Sequence, residues 1–373
     1  MVSFGTNLSI NLNCYFVQKQ DINSWFAPFR NEFPQLINRN MKKILNDPFN
    51  YVDEMLDGLC SAHPDLYRQT GEAGRVITRA AKITDGKVGI VTGGGSGHLP
   101  VFTGYVGKGL LDACAIGDVF ASPSVEQMAD AMRAANGGAG VLRLYGNYGG
   151  DVMNFDMAGE MLEMEDIPST TVLMADDVAS APKEEREKRR GVAGMVYAFK
   201  IAGAAAEQMK NLEDVTRTAQ KTADACHSVG AALTSCTVPQ AGKPTFDISE
   251  EDMEMGMGIH GEPGVWRGKL KTADEIANEM VDMLLADINP VSGARMSVMV
   301  NSLGATPPEE LYILYRIVKQ RLEDVGIKIV MPLVGRYATS MEMTGVSFTF
   351  CELDAELEVL LLAPAHCAFW TVG

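Results

Sequence analysis

Lys87-Val88-Gly89-Ile90-Val91-Thr92-Gly93-Gly94-Gly95-Ser96-Gly97-His98 is the stretch on which the fold reading turns. Lys87 to Thr92 is a short, largely apolar run, and it empties into clustered glycines closed by a histidine. An apolar run of this length, bounded by turn residues, predicts a buried strand feeding a loop. Glycines in such a loop let backbone N–H groups approach a polar ligand. The tract lacks the Gly-Lys-Ser/Thr ending of a nucleotide-phosphate loop, and His98 stands where a dinucleotide fingerprint needs its third glycine. By itself the loop reads either as a bare turn or as a ligand loop, and the histidine at its end favours the ligand.

Two further strands follow downstream. Val141 to Leu144 ends in the Gly146–Gly150 region, with Asp151 just beyond, and Thr170 to Met174 ends at Asp176-Asp177. Helices are expected between them, around 124–135 and 155–165. This alternation predicts an α/β domain, in which binding loops gather at the carboxyl ends of strands. Upstream, Asp47-Pro48 precedes a helical stripe of Val52, Met55, Leu56 and Leu59. Residues 1–40 are rich in Asn, Gln and Phe, without a period. They read as a loosely attached or disordered leader, or as a non-native extension, since Met41-Lys42-Lys43 looks like an ordinary start.

The chain has 373 residues, long for one core, so two domains are expected. A first α/β domain at 41–225 would hold the glycine loop and Asp151. A second at 226–373 would hold His260, with C-terminal strands free to return to the first. Lys183 to Arg190 reads as a solvated loop or helix face, Gly191 to Met209 as an Ala-rich helix, and Val215 to Leu233 as another helix. Met253, Met255, Met257 and Ile259 alternate with small or polar residues, predicting a strand with His260 on its opposite face. The methionines of this set fit core packing and ask for no metal or haem. Thr272 to Glu275 reads as a capping box that opens a helix. A strand at 296–301, a helix at 309–325 and strands at 327–334, 346–352 and 357–362 complete the expectation.

Formal charge is -16, a surface that repels phosphate backbones and anionic lipid; neither nucleic acid nor membrane is an expected partner. The seven cysteines are scattered, with no C-x-x-C pair, and the plain reading is reduced thiols in the cytoplasm. No apolar run reaches the length of a membrane span, and the start lacks the pattern of a secretory signal.

The candidate chemistry rests on few residues. His98 offers one donor and one acceptor near neutral pH, for orienting a hydroxyl or for capping its own loop. Asp151, at a strand-to-helix junction, is either a base or a helix cap. Asp118 and Asp176-Asp177 share that ambiguity. His260 lies in Gly258-Ile259-His260-Gly261-Glu262-Pro263-Gly264, with glycines leaving the ring approachable. A neutral imidazole nitrogen there can add to a ketone carbonyl as a hemiaminal; a plain turn histidine is the alternative. His63 reads as a cap or surface residue, His227 as helix packing and His366 as structural.

From about Met41 onward the chain resembles the K subunit of dihydroxyacetone kinase. The resemblance rests on Gly94-Gly95-Ser96-Gly97-His98, Asn147-Tyr148 with Gly150-Asp151, Gly191-Val192-Ala193 and His227-Ser228-Val229-Gly230. It continues through Cys236-Thr237-Val238-Pro239, Ala241-Gly242-Lys243-Pro244, Gly258 through Gly264, and Asn301 with Leu303-Gly304-Ala305-Thr306-Pro307, in that order. The resemblance implies a two-domain α/β fold, each domain a sheet packed with helices, and a homodimer. It implies that His260 binds a short ketose covalently, that Asp151 is the base and that His98 hydrogen-bonds the substrate. Gly95, Ser96 and Gly97 would line the pocket. It places ATP, or ADP recharged by a phosphocarrier protein, together with Mg²⁺, on a separate L subunit or fused L domain, and no cofactor on this chain. The chain as given is therefore expected to bind sugar but hardly to phosphorylate it alone.

Two departures stand out. The family's His-Glu-Pro is His98-Leu99-Pro100 here, and its Lys-Asn-Tyr-Thr-Gly-Asp is Gly146-Asn147-Tyr148-Gly149-Gly150-Asp151. A lysine, a carboxylate and a hydroxyl are missing near the substrate, which points to a ketose other than dihydroxyacetone, such as the four-carbon erythrulose. Arg143 and Tyr145 are the nearby candidates to fill the gap. The rival reading is a ketose-binding sensor without catalysis.

Overall fold

Two β-sheets with helices packed on them carry the chain in the computed structural model, which describes residues 42–373; the expected leader at 1–40 lies outside these residues. The first half runs α1 (Tyr51–Ala62), β1 (Tyr67–Thr70), β2 (Val76–Arg79), β3 (Gly89–Ser96), β4 (Ala113–Val119), α2 (Val125–Ala135), β5 (Val141–Gly146), α3 (Gly149–Glu163) and β6 (Ser169–Met174). Its strands form one sheet in the order β1-β2-β4-β3-β5-β6, parallel from β4 through β6. All eight residues of β3 are buried, as expected for a parallel strand covered on both faces. Val52, Leu56 and Leu59 of α1 are buried in the core, each worth about 1.5–3 kcal/mol of apolar burial. α3 starts several residues before the expected 155, because the glycines ahead of Asp151 are themselves its first turn.

The second half runs α4 (Gly194–Glu207), α5 (Leu212–Ala225), β7 (Cys226–Ala232), β8 (Thr237–Val238), β9 (Lys243–Pro244), β10 (Asp252–Met255), β11 (Trp266–Lys269), α6 (Ala273–Ile288), β12 (Arg295–Ser302), α7 (Pro308–Asp324), β13 (Lys328–Ile329), β14 (Leu333–Gly335), β15 (Gly345–Leu353), α8 (Ala355–Leu362), β16 (Ala365–His366) and β17 (Thr371–Val372). The second sheet is ordered β11-β10-β7-β15-β12-β13, with β14 also on β12. The capping box at Thr272 and Glu275 forms as expected, worth about 1 kcal/mol. β15 belongs to this second sheet, while β16 bridges through His366 to Lys108 in the first half.

Residues 194–206 of α4 are all buried. A helix that is apolar all round must be covered all round. α4 packs on β3 and β5 of one sheet and on β7 and β15 of the other. A single bridge, Asp177 to Ser228, links the segment after β6 to β7. The ends of β3, β5 and β6 are thereby brought against the second sheet, and residues 44–373 make one compact unit.

Four local expectations are corrected. The helix expected over 215–233 stops at Ala225, and Cys226–Ala232 is a fully buried central strand. Periodicity cannot separate a buried strand of small residues from a buried helix. The methionine strand ends at Met255, because Gly256 turns the chain at φ +82, so His260 sits on a loop rather than on a strand face. Residues 327–334 hold two short strands separated by Met331 at φ +49. The leucine run at 357–362 is helical, capped by Asp354, whose side chain accepts from the Leu357 amide at 2.9 Å.

Candidate active site

β3 delivers the first histidine. Gly97 takes φ +103, a conformation natural to glycine, and turns the chain so that His98 ends 2% exposed. The Ser96 and Gly97 carbonyls accept from the amides of Phe120 and Met341, at 3.0 and 2.8 Å, which fixes the loop. His98 Nδ1 lies 2.7 Å from the Thr339 carbonyl. A carbonyl only accepts, so Nδ1 carries the proton and Nε2 the lone pair. That Nε2 is buried with no hydrogen-bond partner. Burial, and then the neighbouring His260, push the His98 pKa down to about 3, so the ring is neutral at pH 7.

β5 and α3 deliver the carboxylate. Asp151 lies in the first turn of α3, 7% exposed, and accepts a hydrogen bond from the Ser122 hydroxyl. Burial raises its pKa to about 6, against the opposing pull of the Ser122 bond and of the His260 charge. Ser122, which holds Asp151, follows by two residues the Phe120 ring that packs on both histidines.

The loop after β10 delivers the second histidine. His260 Nδ1 lies 2.9 Å from Glu262 Oε1, and the His260 amide donates to Glu262 Oε2 at 2.9 Å. A carboxylate oxygen only accepts, so Nδ1 of His260 carries a proton and its Nε2 is the nitrogen left for the site. Burial works against the Glu262 charge, yet the His260 contacts prevail and hold its pKa at about 2. Three rings stand edge-on around His260: His98 at 4.9 Å between centroids, Tyr148 at 4.9 Å and Phe120 at 5.2 Å. Phe120 also stacks on His98, at 4.8 Å and 21°.

The structure thus sets the His98 and His260 rings against each other and ties Asp151 to Ser122, close by on the Phe120 segment, against which the backbone of Gly95 and Gly97 packs too closely for any side chain. Asp118 is outside, exposed and paired with Arg75. Asp176 accepts from the amides of Val192 and Gly194 and from Ser228, a structural tie between the sheets. Asp177 pairs with Arg190. Among the described residues, no three or more His, Cys, Asp or Glu are grouped to hold a metal ion. His63 caps α1. His227 lies on β7 rather than on a helix, 2.6 Å from Asp287. Arg189, expected on a solvated face, is buried and grips Asp287 with two nitrogens. Arg143 and Tyr145 do not fill the lysine gap. They lie on the α3 side of β5, Arg143 donating to the Phe155 carbonyl and Tyr145 stacking on Phe155. Gly146 belongs to the other face of the strand, where a Cβ would come within 3.0 Å of the Tyr148 ring and 3.2 Å of the Gly191 carbonyl.

Sequence reasoning missed Ser122, Phe120, Tyr148, Thr339 and Glu262. Only Glu262 left a signal, a carboxylate two residues from a glycine-flanked histidine.

The Dak1 domain family matches residues 57–369. An L-erythrulose kinase of Pectobacterium atrosepticum is 44% identical over 89% of this chain, which spans 57% of that relative. The dihydroxyacetone-binding subunit DhaK of a PTS-dependent dihydroxyacetone kinase of Listeria innocua is 41% identical over 88% of this chain and 100% of its own. Two solved structures share the fold. The dihydroxyacetone kinase of C. freundii has a TM-score of 0.82 at 33% identity, covering 89% of this chain and 60% of that one. A dihydroxyacetone kinase operon co-activator, Dha-DhaQ, has 0.80 at 30% identity, covering 86% and 98%. No helix among the described residues is long and apolar enough to cross a membrane. By the family match and these identities, the chain is a member of the Dak1 domain family.

Proposed function

We propose that this chain is the ketose-binding subunit of a short-ketose kinase, holding dihydroxyacetone or a four-carbon ketose as a hemiaminal on His260 Nε2. The observation that carries the reading is the pair of imidazoles 4.9 Å apart, each with Nδ1 committed to an oxygen and Nε2 left over, with Asp151 buried on the adjoining segment. Addition forms an Nε2–C2 bond and breaks the carbonyl π bond, and the oxygen takes up a proton from water. The positive charge left on the ring sits against the Glu262 carboxylate, which can also take the Nδ1 proton. The tether removes the unproductive poses open to so small a ligand. The terminal hydroxyl then lies between His98, an acceptor, and Asp151, the base. A base with its pKa near 6 is ionised at pH 7 yet still basic enough to take a proton as the hydroxyl attacks.

The phosphoryl donor, ATP or a recharged ADP with Mg²⁺, belongs in this reading to an L subunit, in a cytoplasmic setting and with the ketose-binding chain a homodimer. The missing lysine at Gly146 and the Leu99 substitution favour the four-carbon ketose, in line with the erythrulose kinase among the relatives. Titration with C2-labelled dihydroxyacetone and both erythrulose enantiomers, followed by carbon NMR, tests this. The ketone signal should be replaced by a tetrahedral carbon. Its persistence at saturating protein would refute tethering, and a clear preference for dihydroxyacetone would remove the larger-ketose reading. The likeness to a co-activator supports a second reading, ketose sensing without catalysis. Phosphorylation on adding a matching L subunit separates the two.

A further inference from the structure

Arg190 lies outside every motif assigned above except as the residue before Gly191-Val192-Ala193. It comes from the segment after β6, and its backbone is tied down: its amide donates to Ser180 Oγ at 3.0 Å, and its carbonyl accepts from the Asp177 amide at 3.1 Å. Its guanidinium is largely buried, bonds two groups and faces a third. Nε and Nη2 meet Asp177 Oδ2 at 2.9 and 2.8 Å. Nη2 donates to the Gly256 carbonyl at 3.2 Å, and Nη1 lies 4.0 Å from Glu262 Oε2. Gly256 opens the loop that carries His260, and Glu262 follows His260 by two residues. The guanidinium therefore spans both arms of that loop, with a fully buried aspartate behind it.

Gly258 shows that this crossing is built in. A Cβ at Gly258 would lie 2.2 Å from Glu262 Oε2 and 2.6 Å from Arg190 Nη1. Only a residue without a side chain lets the carboxylate and the guanidinium meet over the loop backbone. The Glu262 carboxylate is thus held from two sides: His260 donates to it through both its ring and its amide, and Arg190 faces the oxygen that the amide uses.

We propose that Arg190, backed by Asp177, is a positioning residue for the nucleophile: it staples the 256–262 loop and holds the Glu262 carboxylate where it fixes the His260 proton on Nδ1, leaving Nε2 free to attack. This rests on the reading of His260 as the ketone-binding nucleophile. Arg190 touches no substrate and acts only through Glu262. A planar fork is needed because it bonds Asp177 and the Gly256 carbonyl while turning its remaining nitrogen to the Glu262 charge 4.0 Å away, which a lysine cannot do.

The test reads the His260 ring directly, by nitrogen NMR of the imidazole in the ligand-free full chain, together with ketose affinity. Wild type should show a protonated Nδ1 and a bare Nε2. Arg190→Met should show mixed tautomers and a ketose affinity lower by about ten- to a hundredfold, by analogy with the loss on removing an outer partner of a metal-binding histidine. With a matching L subunit, the loss should fall on KM more than on kcat. Arg190→Lys should recover part of both. Gly258→Ala, which keeps both charged groups but wedges them apart, should scramble the tautomer in the same way. Wild-type ring signals in folded Arg190→Met, or in Gly258→Ala if the first variant does not fold, would overturn the proposal. A wild-type protein with the expected tautomer and no ketose adduct would instead overturn the hemiaminal reading and leave the Arg190 assignment standing.

Discussion

The two histidine loops of the site solve the same problem with different partners. On the β3 side, His98 gives its Nδ1 proton to a neutral backbone carbonyl inside an almost closed pocket. On the β10 side, His260 gives its proton to a carboxylate, and a quarter of its side chain remains exposed. Both end with Nε2 bare. A carbonyl partner with full burial makes a ring that stays neutral and only accepts. A carboxylate partner makes a ring whose lone pair is richer and whose positive charge, once it has bonded to carbon, is compensated. On the function proposed here, one fold builds an orienting histidine and a nucleophilic one from the same side chain.

The sharpest way to break this comparison is His260→Ala. It should abolish ketose retention, on the order of 10⁴-fold or more, since the tether itself is lost; a titration showing near wild-type affinity would end the division of labour. Asp151→Asn comes next. Neither imidazole is disposed to take the substrate proton, so phosphoryl transfer with an L subunit should fall by about 10²–10⁴-fold while ketose binding stays within about threefold. In wild type the rate should climb with pH through about 6, as Asp151 ionises, and this limb should vanish in the variant.

His98→Asn should lower affinity by about ten- to thirtyfold, the loss of one hydrogen bond in a dry pocket. It should also change acid stability. Folded His98 titrates near 3 against an ordinary 6.5, so between those values the unfolded chain holds a proton that the native chain does not. Its contribution to stability is therefore present above pH 6.5 and lost as pH falls toward 3. Denaturation curves of the variant should be flatter across that window. Raised carboxylates such as Asp151 and Asp177, which protonate in the native state first, oppose this slope between about 4 and 6.

Lys200 supplies the smallest effect and a control. Like His98, it is a buried base bonded to a backbone carbonyl, that of Leu360 at 2.7 Å, but it lies in the middle of α4 and has no part in the proposed chemistry. Burial lowers its pKa from 10.5 to about 8. Between pH 8 and 10.5 the unfolded chain binds the extra proton, so stability should rise with pH across that window. Lys200→Met should be more stable than wild type at pH 7, by about 1 kcal/mol after the orphaned carbonyl is counted, with ketose binding unchanged. An advantage that does not shrink toward pH 10.5 would rule out charge burial as its source.

Much of the molecule is legible in the sequence. The β5 run and the capping box at Thr272 are local signals, written within a dozen residues each, and formed where expected; the β3 run is a strand as well, but it starts at Gly89 and takes in Gly93 to Ser96, which read as its loop. The sequence also marked His98, Asp151 and His260, because a chemically active side chain among glycines is conspicuous on the chain itself. Tertiary structure alone decided the rest. Cys226–Ala232 became a strand because neighbours cover both its faces, which no periodicity of small residues reveals. Ser122 meets Asp151, Thr339 meets His98 and Arg190 meets Glu262 across spacings of 29, 241 and 72 residues, and such pairings leave no trace in either segment. Local order is set by neighbours along the chain, whereas the protonation state of a side chain is set by neighbours in space, so the residues were readable and their tautomers were not.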